Sequence, residues 1–307
     1  MFKKKEKLPR RKLTKADRHE AATATAFFLP FGVLFITFTV LPVLIGVFFS
    51  FTNYTVLQSP IFVGFQNFQR LFTEDDTFLI ALNNTLLFAL FSGVIGFFAS
   101  FIVAWIIDGL KFKKFFALAF YAPSITSGIA MSVVWLYFLS PDSYGLINHA
   151  LMQMGLIDKP VLWTQNPDTI LVIVVVVSVW MGMGNGFLAF LSGFQNMNRE
   201  IFEAGRIDGV SNKFQELIYM VLPQMKPMLL FAAINSVTGA FSIYDVPLTL
   251  AGSPGPENAA LTIVGHLNDY AFTRMDMGYA TAIALVLFAI TFAIGRILFR
   301  VLGTKDE

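Results

Sequence analysis

Six mostly apolar stretches of about 20 residues or more dominate this chain, and a run of that length is what a helix needs to cross a hydrocarbon layer. They run roughly over residues 27–51, 86–107, 115–139, 169–191, 228–250 and 279–301. Inside a bilayer the backbone must satisfy its own hydrogen bonds, so such segments read as helices. Composition points the same way. With 56% apolar residues, 14% charged residues and 35 Phe in 307 positions, the chain has more apolar surface than one soluble core can bury. The expected fold class is all-α, a polytopic membrane protein with six transmembrane helices. The first stretch is too long for a signal-peptide core and no small-residue cleavage site follows it, so it is read as a span.

Lys and Arg collect on the cytoplasmic side of membrane proteins. With the N-terminus placed inside, 19 of the 22 Lys and Arg residues fall on that side. They lie in the tail ahead of the first span, in loops 108–114 and 192–227, and at the C-terminal end. The opposite face keeps Arg70, Lys159 and Arg274 and is rich in carboxylates such as Asp75, Asp269 and Asp276. The expected organisation is a basic cytoplasmic tail over 1–26, a six-helix membrane domain over 27–303 with a cytoplasmic loop near 198–226, and a short cytoplasmic tail over 304–307. Both termini are cytoplasmic in this reading. The basic tail is read as an anchor beside a span, with lipid headgroup binding as the alternative. It lacks the interleaved aromatics of a nucleic-acid surface, so no nucleic-acid partner is expected.

The chain has no Cys and three His, which excludes disulfides, thiolate sites and most metal chemistry. An intramembrane enzyme would need paired carboxylates, a His-rich helix or Ser/Lys partners within the spans. Asp245 stands alone in the fifth span and Asp108 sits at a helix end, so no catalytic or metal site is expected. A Gly-x-x-x-x-Gly-Lys-Ser/Thr phosphate loop is also missing from the sequence. The chain is therefore not expected to bind or hydrolyse ATP by itself.

A polar residue at membrane depth is costly and usually faces a cavity or the bundle interior. The fifth span is the most polar. Its Phe241, Ser242, Tyr244 and Asp245 make an aromatic-plus-acceptor set suited to a sugar, since rings pack on C–H faces and oxygens bond hydroxyls. Pro247 leaves open a structural role for Asp245 at a broken helix end. Ser92, Gly96, Ser100 and Ala104, four apart, read as a face for packing another helix, and Gly182, Gly184 and Gly186 read likewise. His266 reads as a surface or structural residue. The cores of spans two to five hold no Lys or Arg, which favours a neutral solute over a phosphorylated one of the glycerol phosphate kind. A non-transporting scaffold fits the polar fifth span poorly.

The loop after span four reads Arg199-Glu200-Ile201-Phe202-Glu203-Ala204-Gly205-Arg206-Ile207-Asp208-Gly209-Val210. The pattern predicts a short helix stopped by Gly209, a residue at home in the left-handed conformation past a helix end. A second amphipathic helix is expected to run to Leu222-Pro223. Ile201, Ala204, Gly205 and Ile207 form a small, apolar stripe with Glu203 and Asp208 beside it. Such a helix can dock in a groove of a soluble partner or lie on the membrane surface.

This loop resembles the EAA loop of ABC importer permeases. That pattern opens Glu-Ala-Ala, places a Gly after three further residues and closes on Ile-x-Leu-Pro. Glu203, Ala204, Gly209, Leu222 and Pro223 match it, while Gly205 replaces the second Ala and Met220 the Ile. Further elements in matching order are Gly64-Phe65-Gln66-Asn67-Phe68, Asn84-Thr85, Gly145-Leu146-Ile147-Asn148, Gly252-Ser253-Pro254-Gly255-Pro256 and Gly278-Tyr279-Ala280. Together they are similar to the carbohydrate-uptake permeases related to the large maltose permease subunit, over roughly residues 25–303.

The resemblance implies a type I ABC importer permease fold, alternating access and a prokaryotic plasma membrane location. It also implies a second permease subunit, read as a different chain with an identical copy as the alternative, two cytoplasmic ATPases that use ATP and Mg²⁺, and an extracytoplasmic solute-binding protein. Glu203 would contact the ATPase groove, with Ala204, Gly205 and Gly209 allowing close approach and Asp208, Leu222 and Pro223 completing the loop. Gly182, Asn185, Thr238, Phe241, Ser242 and Asp245 would fall on solute-contact positions.

Overall fold

The computed structural model describes residues 15–303, with side chains from His19 onward. The tails at 1–14 and 304–307, and most of the expected basic segment, lie outside the described residues. The chain divides into two compact units, residues 1–49 and 50–307.

The first unit is one long helical run. Helices α1 (Lys15–Phe35) and α2 (Leu41–Ser50) are joined by a π turn at Ile36–Val40, and Ser50 opens the second unit. The Leu41 N–H bonds back to the Ile36 carbonyl across this turn. Pro42 follows at once. A widened turn makes room for a proline ring that would strike the carbonyl four residues back in an α-helix. Residues 19–50 of this run are long and apolar enough to span a membrane.

The second unit opens with a hairpin of β1 (Thr52–Asn53) and β2 (Ile61–Phe62), paired antiparallel with Thr52 opposite Phe62. Helices α3 (Gln66–Thr73), α4 (Asp76–Asp108), α5 (Lys113–Ile125), α6 (Gly128–Phe138), α7 (Leu146–Gln153) and α8 (Pro167–Gln195) follow. Next come α9 (Arg199–Ile207), α10 (Lys213–Glu216), α11 (Leu222–Phe241), α12 (Asp245–Ala251), α13 (Ile263–Asn268) and α14 (Met277–Leu302).

Four helical runs of this unit qualify as spans by length and hydropathy: α4, α8, Lys213–Phe241 and α14. The expected third span is not one straight helix. Its two halves, α5 and α6, meet at 98°. Pro123 removes one helix hydrogen bond, and Thr126 is extended at ψ 147°. Side chains bond carbonyls near the end of this helix, with Ser124 Oγ donating to Tyr121 O and Thr126 Oγ1 to Ala122 O. The expected fifth span is also broken. Its helix ends at Phe241, and α12 starts afresh at Asp245. Counting the bent pair as one span gives six among the described residues.

Association of helices in lipid rests on close packing and on side chains that bond across helices. Helix α4 packs along α8, where Ser100 Oγ donates to Met183 O at 3.0 Å. Phe97 and Phe101 of α4 meet Phe190 edge-on at 5.4 and 5.3 Å. Gly184 lies against Ser124, and a methyl on Gly186 would sit 3.1 Å from Ser100 Oγ. The four-residue stripe on α4 thus divides. The buried Ala104 packs, Ser92 and Gly96 border a cavity, and Ser100 does both, bonding to α8 at the cavity's edge.

The amides of the sequence elements organise loops. Asn67 Nδ2 donates to Ser50 O and Thr52 O, closing the hairpin onto α3. Asn84 Nδ2 donates to Asn258 O and Leu261 O, while Thr85 Oγ1 accepts from Ile263 N. Asn148 is fully buried. It donates to Ser140 O, Asp142 O and Val161 O and accepts from Val161 N and Trp163 Nε1. Gly278 lies so close to Thr52 O that a side chain there would displace the hairpin.

Candidate functional site

Two connected cavities form a groove in the second unit. The larger, about 550 Å³, lies among α4, α8 and α11 and is bordered by Ser92, Gly96, Ser178, Asn185, Asn235 and Ser236. The smaller, about 340 Å³, opens at the two helix breaks. Ser178, Gly182, Asn185, Gly239 and Ile243 border both. Irregular backbone is tolerated at membrane depth where it lines a cavity, and both breaks lie on this one. Thr126 and Gly128 come from the α5–α6 break, and Ser242, Tyr244 and Asp245 from the α11–α12 break.

Asp245 carries the only formal charge among the described residues that line the two cavities. Its carboxylate lies against the first residue of α6, where a methyl on Gly128 would be 3.2 Å from Oδ2. Ser127 precedes that helix without a side-chain capping bond. A carboxylate at a helix N-terminus is stabilised by the partial positive charge there, typically by about 0.3–1 kcal/mol. Asp245 thus sits against a helix end and still offers acceptor oxygens to the groove. The structural role left open by Pro247 and the cavity-lining role coexist at this residue.

The structure gathers Gly182, Asn185, Ser242, Tyr244 and Asp245 around the groove. Thr238 is exposed on α11 and borders neither cavity. Phe241 is buried in the core among Phe88, Val174 and Val246 and presents no ring to either cavity. Its backbone ends α11, one residue before the break that exposes Ser242. Spacing alone could not separate these neighbours, because a helix end changes which residue faces the space.

Sequence reasoning passed over Ser178. Its hydroxyl is buried and has no hydrogen-bond partner among the described residues, at the junction of the two cavities. A helical serine usually bonds the carbonyl one turn back. An orphaned buried hydroxyl is costly and needs an explanation. The signal available in the sequence was a lone Ser in a run of Val on span four.

The loop near 198–226 is built for display. Asn198 Oδ1 accepts from Glu200 N at 3.0 Å and caps α9. At the other end Gly209 has φ +91°. Val210 N bonds Gly205 O and Gly209 N bonds Arg206 O, the paired bonds of a Schellman stop. Glu203, Ala204, Asp208, Gly209 and Pro223 are exposed, and Gly205 and Leu222 are half-buried. Glu203 makes no ion pair among the described residues. Ile207 is 87% exposed, an unusual position for a large apolar side chain on a polar loop. The second helix does not stop at Pro223. A π turn at Leu217–Val221 carries it past the proline into α11.

A polar cluster joins the N-terminus of α4 to α13 and α14. Asp75 Oδ2 accepts from Tyr279 OH at 2.7 Å and contacts His266 Nε2 at 2.8 Å, and Asp75 Oδ1 accepts from Phe78 N. Burial alone would raise the Asp75 pKa. The hydrogen bonds from Tyr279, Phe78 and His266 outweigh it and hold the carboxyl below its usual range. Arg70 stacks over the Tyr279 ring at 4.1 Å and bonds Asp276 at 3.1 Å. His266 is therefore a buried structural residue, the second of the two readings its sequence context left open.

The family of binding-protein-dependent transport system inner membrane components matches residues 22–305. This chain belongs to that family. It is 33% identical over 294 residues to the "Probable ABC transporter permease protein YesP" of Bacillus subtilis (strain 168), covering 94% of this chain and 93% of that one. It is 34% identical over 270 residues to the arabinooligosaccharides transport system permease protein AraP of Halalkalibacterium halodurans, covering 86% and 83%. A solved bacterial alginate ABC transporter, in complex with alginate pentasaccharide-bound periplasmic protein, contains a chain of the same fold. The TM-score is 0.81 at 21% identity, over 95% of this chain and 99% of that one. The chain is thus a permease subunit of the inner membrane and not itself an enzyme.

Proposed function

We propose that the permease carries a neutral sugar or oligosaccharide inward as half of the pathway of an ATP-driven, binding-protein-dependent importer. The observation that carries this reading is the groove at the two helix breaks. It offers hydroxyls, amides and one carboxylate, and no cation among its described lining. Neutral polyols bond such acceptors and donors, whereas a phosphate or uronate would meet Asp245 without a countercharge. The carbohydrate names of several relatives, AraP among them, support the substrate class.

In this reading the groove faces a different second permease, and the two subunits alternate access to it. Two cytoplasmic ATPases use ATP and Mg²⁺. They are gripped by α9, with Glu203 and the exposed Ile207 entering their grooves. A solute-binding protein delivers from the other face, and both termini of the permease are cytoplasmic. The domain expectation, a basic tail ahead of a membrane domain with the 198–226 coupling loop, belongs to the same proposal.

The test is a reconstituted transporter in lipid, purified with its co-isolating subunits and offered its binding protein with a panel of oligosaccharides. We expect a second permease and two ATPase copies, and ATPase activity stimulated by neutral sugars. Asp245→Ala should lower that stimulation at least tenfold and Glu203→Arg should uncouple it. Isolation of the chain without an ATPase, or unchanged stimulation in both variants, refutes the proposal.

A further inference from the structure

The segment between the first two spans holds an apolar surface that solute passage and ATPase coupling do not use. Residues 51–69 contain no Asp, Glu, Lys, Arg or His. Within them Leu57 is 92% exposed, Phe62 71% and Phe65 72%, and Val56 and Ile61 are also exposed. Phe65 meets Phe51 and Phe68 at 5.3 and 5.9 Å, forming a cluster of three rings. Large apolar side chains held this openly mark a surface with an occupant.

Backbone bonds fix the depth of this element. Gly278 N donates to Tyr54 O at 2.9 Å, Val56 N to Met275 O at 3.3 Å, and Thr55 bridges Asp276. These partners stand in the first turn of the spanning helix α14 and the two residues just ahead of it. On the other side Leu71 of α3 is fully buried in one core cluster with Phe78, in the first turn of the spanning helix α4. The hairpin and α3 are thus pinned at the level where two spans leave the hydrocarbon. That boundary is where aromatic side chains concentrate in membrane proteins.

We propose that the hairpin Thr52–Phe62 and the residues leading into α3 form an interfacial element, seated in the headgroup–acyl boundary with Leu57, Ile61, Phe62 and Phe65 in contact with lipid. Successive strand residues point to opposite faces. Ile61 and Phe62 are both exposed, so one docked protein surface would cover only one of them, whereas lipid surrounds both. The absence of charge over 19 residues also argues against a soluble protein that docks and leaves, since the vacant surface would stand bare in water. The extracytoplasmic leaflet is assigned on the proposed orientation, but the contact with lipid is not.

The chain has no Cys, so single probes can be placed without removing any. Leu57→Cys, Phe62→Cys and, as a control in a polar exposed loop, Asp158→Cys are labelled with an environment-sensitive fluorophore. The labelling is done in the assembled transporter, its other subunits free of reactive thiols, in lipid nanodiscs. Spin-labelled lipids carry the quencher at the headgroup or high on the acyl chain in both leaflets, so the readout does not depend on orientation. We expect positions 57 and 62 to be quenched by these lipids at least threefold more than position 158, and to be little affected by iodide. Quenching of 57 and 62 by iodide rather than lipid overturns the proposal. Shielding from both quenchers, which would mean a protein cover, overturns it as well. So does shielding that develops only when the binding protein is added. The transport reading survives each of those outcomes.

Discussion

Gly205 and Met220 share one volume: a methyl group on Gly205 would overlap the Met220 Cε. These are the two positions where the 198–226 loop departs from the EAA pattern it resembles. Each departure looks minor alone. Together they form an exchange, in which the methyl removed from α9 makes room for a longer side chain rising from the π turn before α11. Adjusting both sides keeps α9 seated on the helix that runs into the groove.

The exchange predicts non-additive variants. Gly205→Ala should crowd Met220 at a cost of about 1–3 kcal/mol. That cost is offset in part by the roughly 1 kcal/mol better helix propensity of Ala. Met220→Ile alone should leave space under Gly205. The double variant should be more stable than either single, with a coupling of about 1 kcal/mol or more. Unfolding midpoints of the four purified proteins measure this. Single effects that add to within about 0.5 kcal/mol would show that the contact carries no energy.

Asn148 predicts a different kind of loss. Asn148→Ala leaves Val161 N, Trp163 Nε1 and three carbonyls without their partner. An orphaned buried group costs about 1–3 kcal/mol. The sum is comparable with a total stability of about 5–15 kcal/mol. We expect little folded subunit in membranes, and in whatever folds an unchanged solute preference. Normal yield and midpoint, or an altered preference, would each contradict a purely loop-organising role.

What was legible in the sequence followed the length scale of each signal. Helices α4, α8 and α14 were readable because long apolar runs admit one solution in lipid. The breaks at Thr126 and Ser242 were not, because hydropathy windows average over a bend. Pro123 and Pro247 flagged irregularity without locating it. Phe241 and Ser242 are adjacent in sequence and went to core and groove, a separation made by the helix end itself. Asn67, Asn84 and Asn148 stood in recognisable motifs, yet their work depends on carbonyls up to 177 residues away. Ser178 became visible only once its hydroxyl could be checked for partners.

Asp75 sets a pH dependence. Its folded pKa lies below the ordinary carboxyl value of about 3.9. The ionised group therefore stabilises the fold above that value, and the contribution disappears as pH falls through the lower, folded pKa. Tyr279 and His266 bond it, and Arg70, Tyr270 and Arg274 lie nearby. The unfolding midpoint should be level down to a pH of about 4 and fall below it. Asp75→Asn should lower the midpoint near neutrality and flatten the acid limb. An acid limb of equal steepness in the variant would assign that dependence to other carboxylates.

Ser178 makes the sharpest prediction because two measurements should move in opposite directions. Its hydroxyl is buried without a partner among the described residues. Ser178→Ala removes an unsatisfied group, and the solute-free subunit should gain about 1 kcal/mol. If the hydroxyl meets a sugar oxygen when the groove is occupied, the same change deletes that bond in the loaded state. Solute-stimulated ATPase activity and uptake should then fall several-fold. A merely structural serine would shift stability and leave the solute response alone. A raised midpoint with undiminished stimulation would therefore remove Ser178 from the solute path.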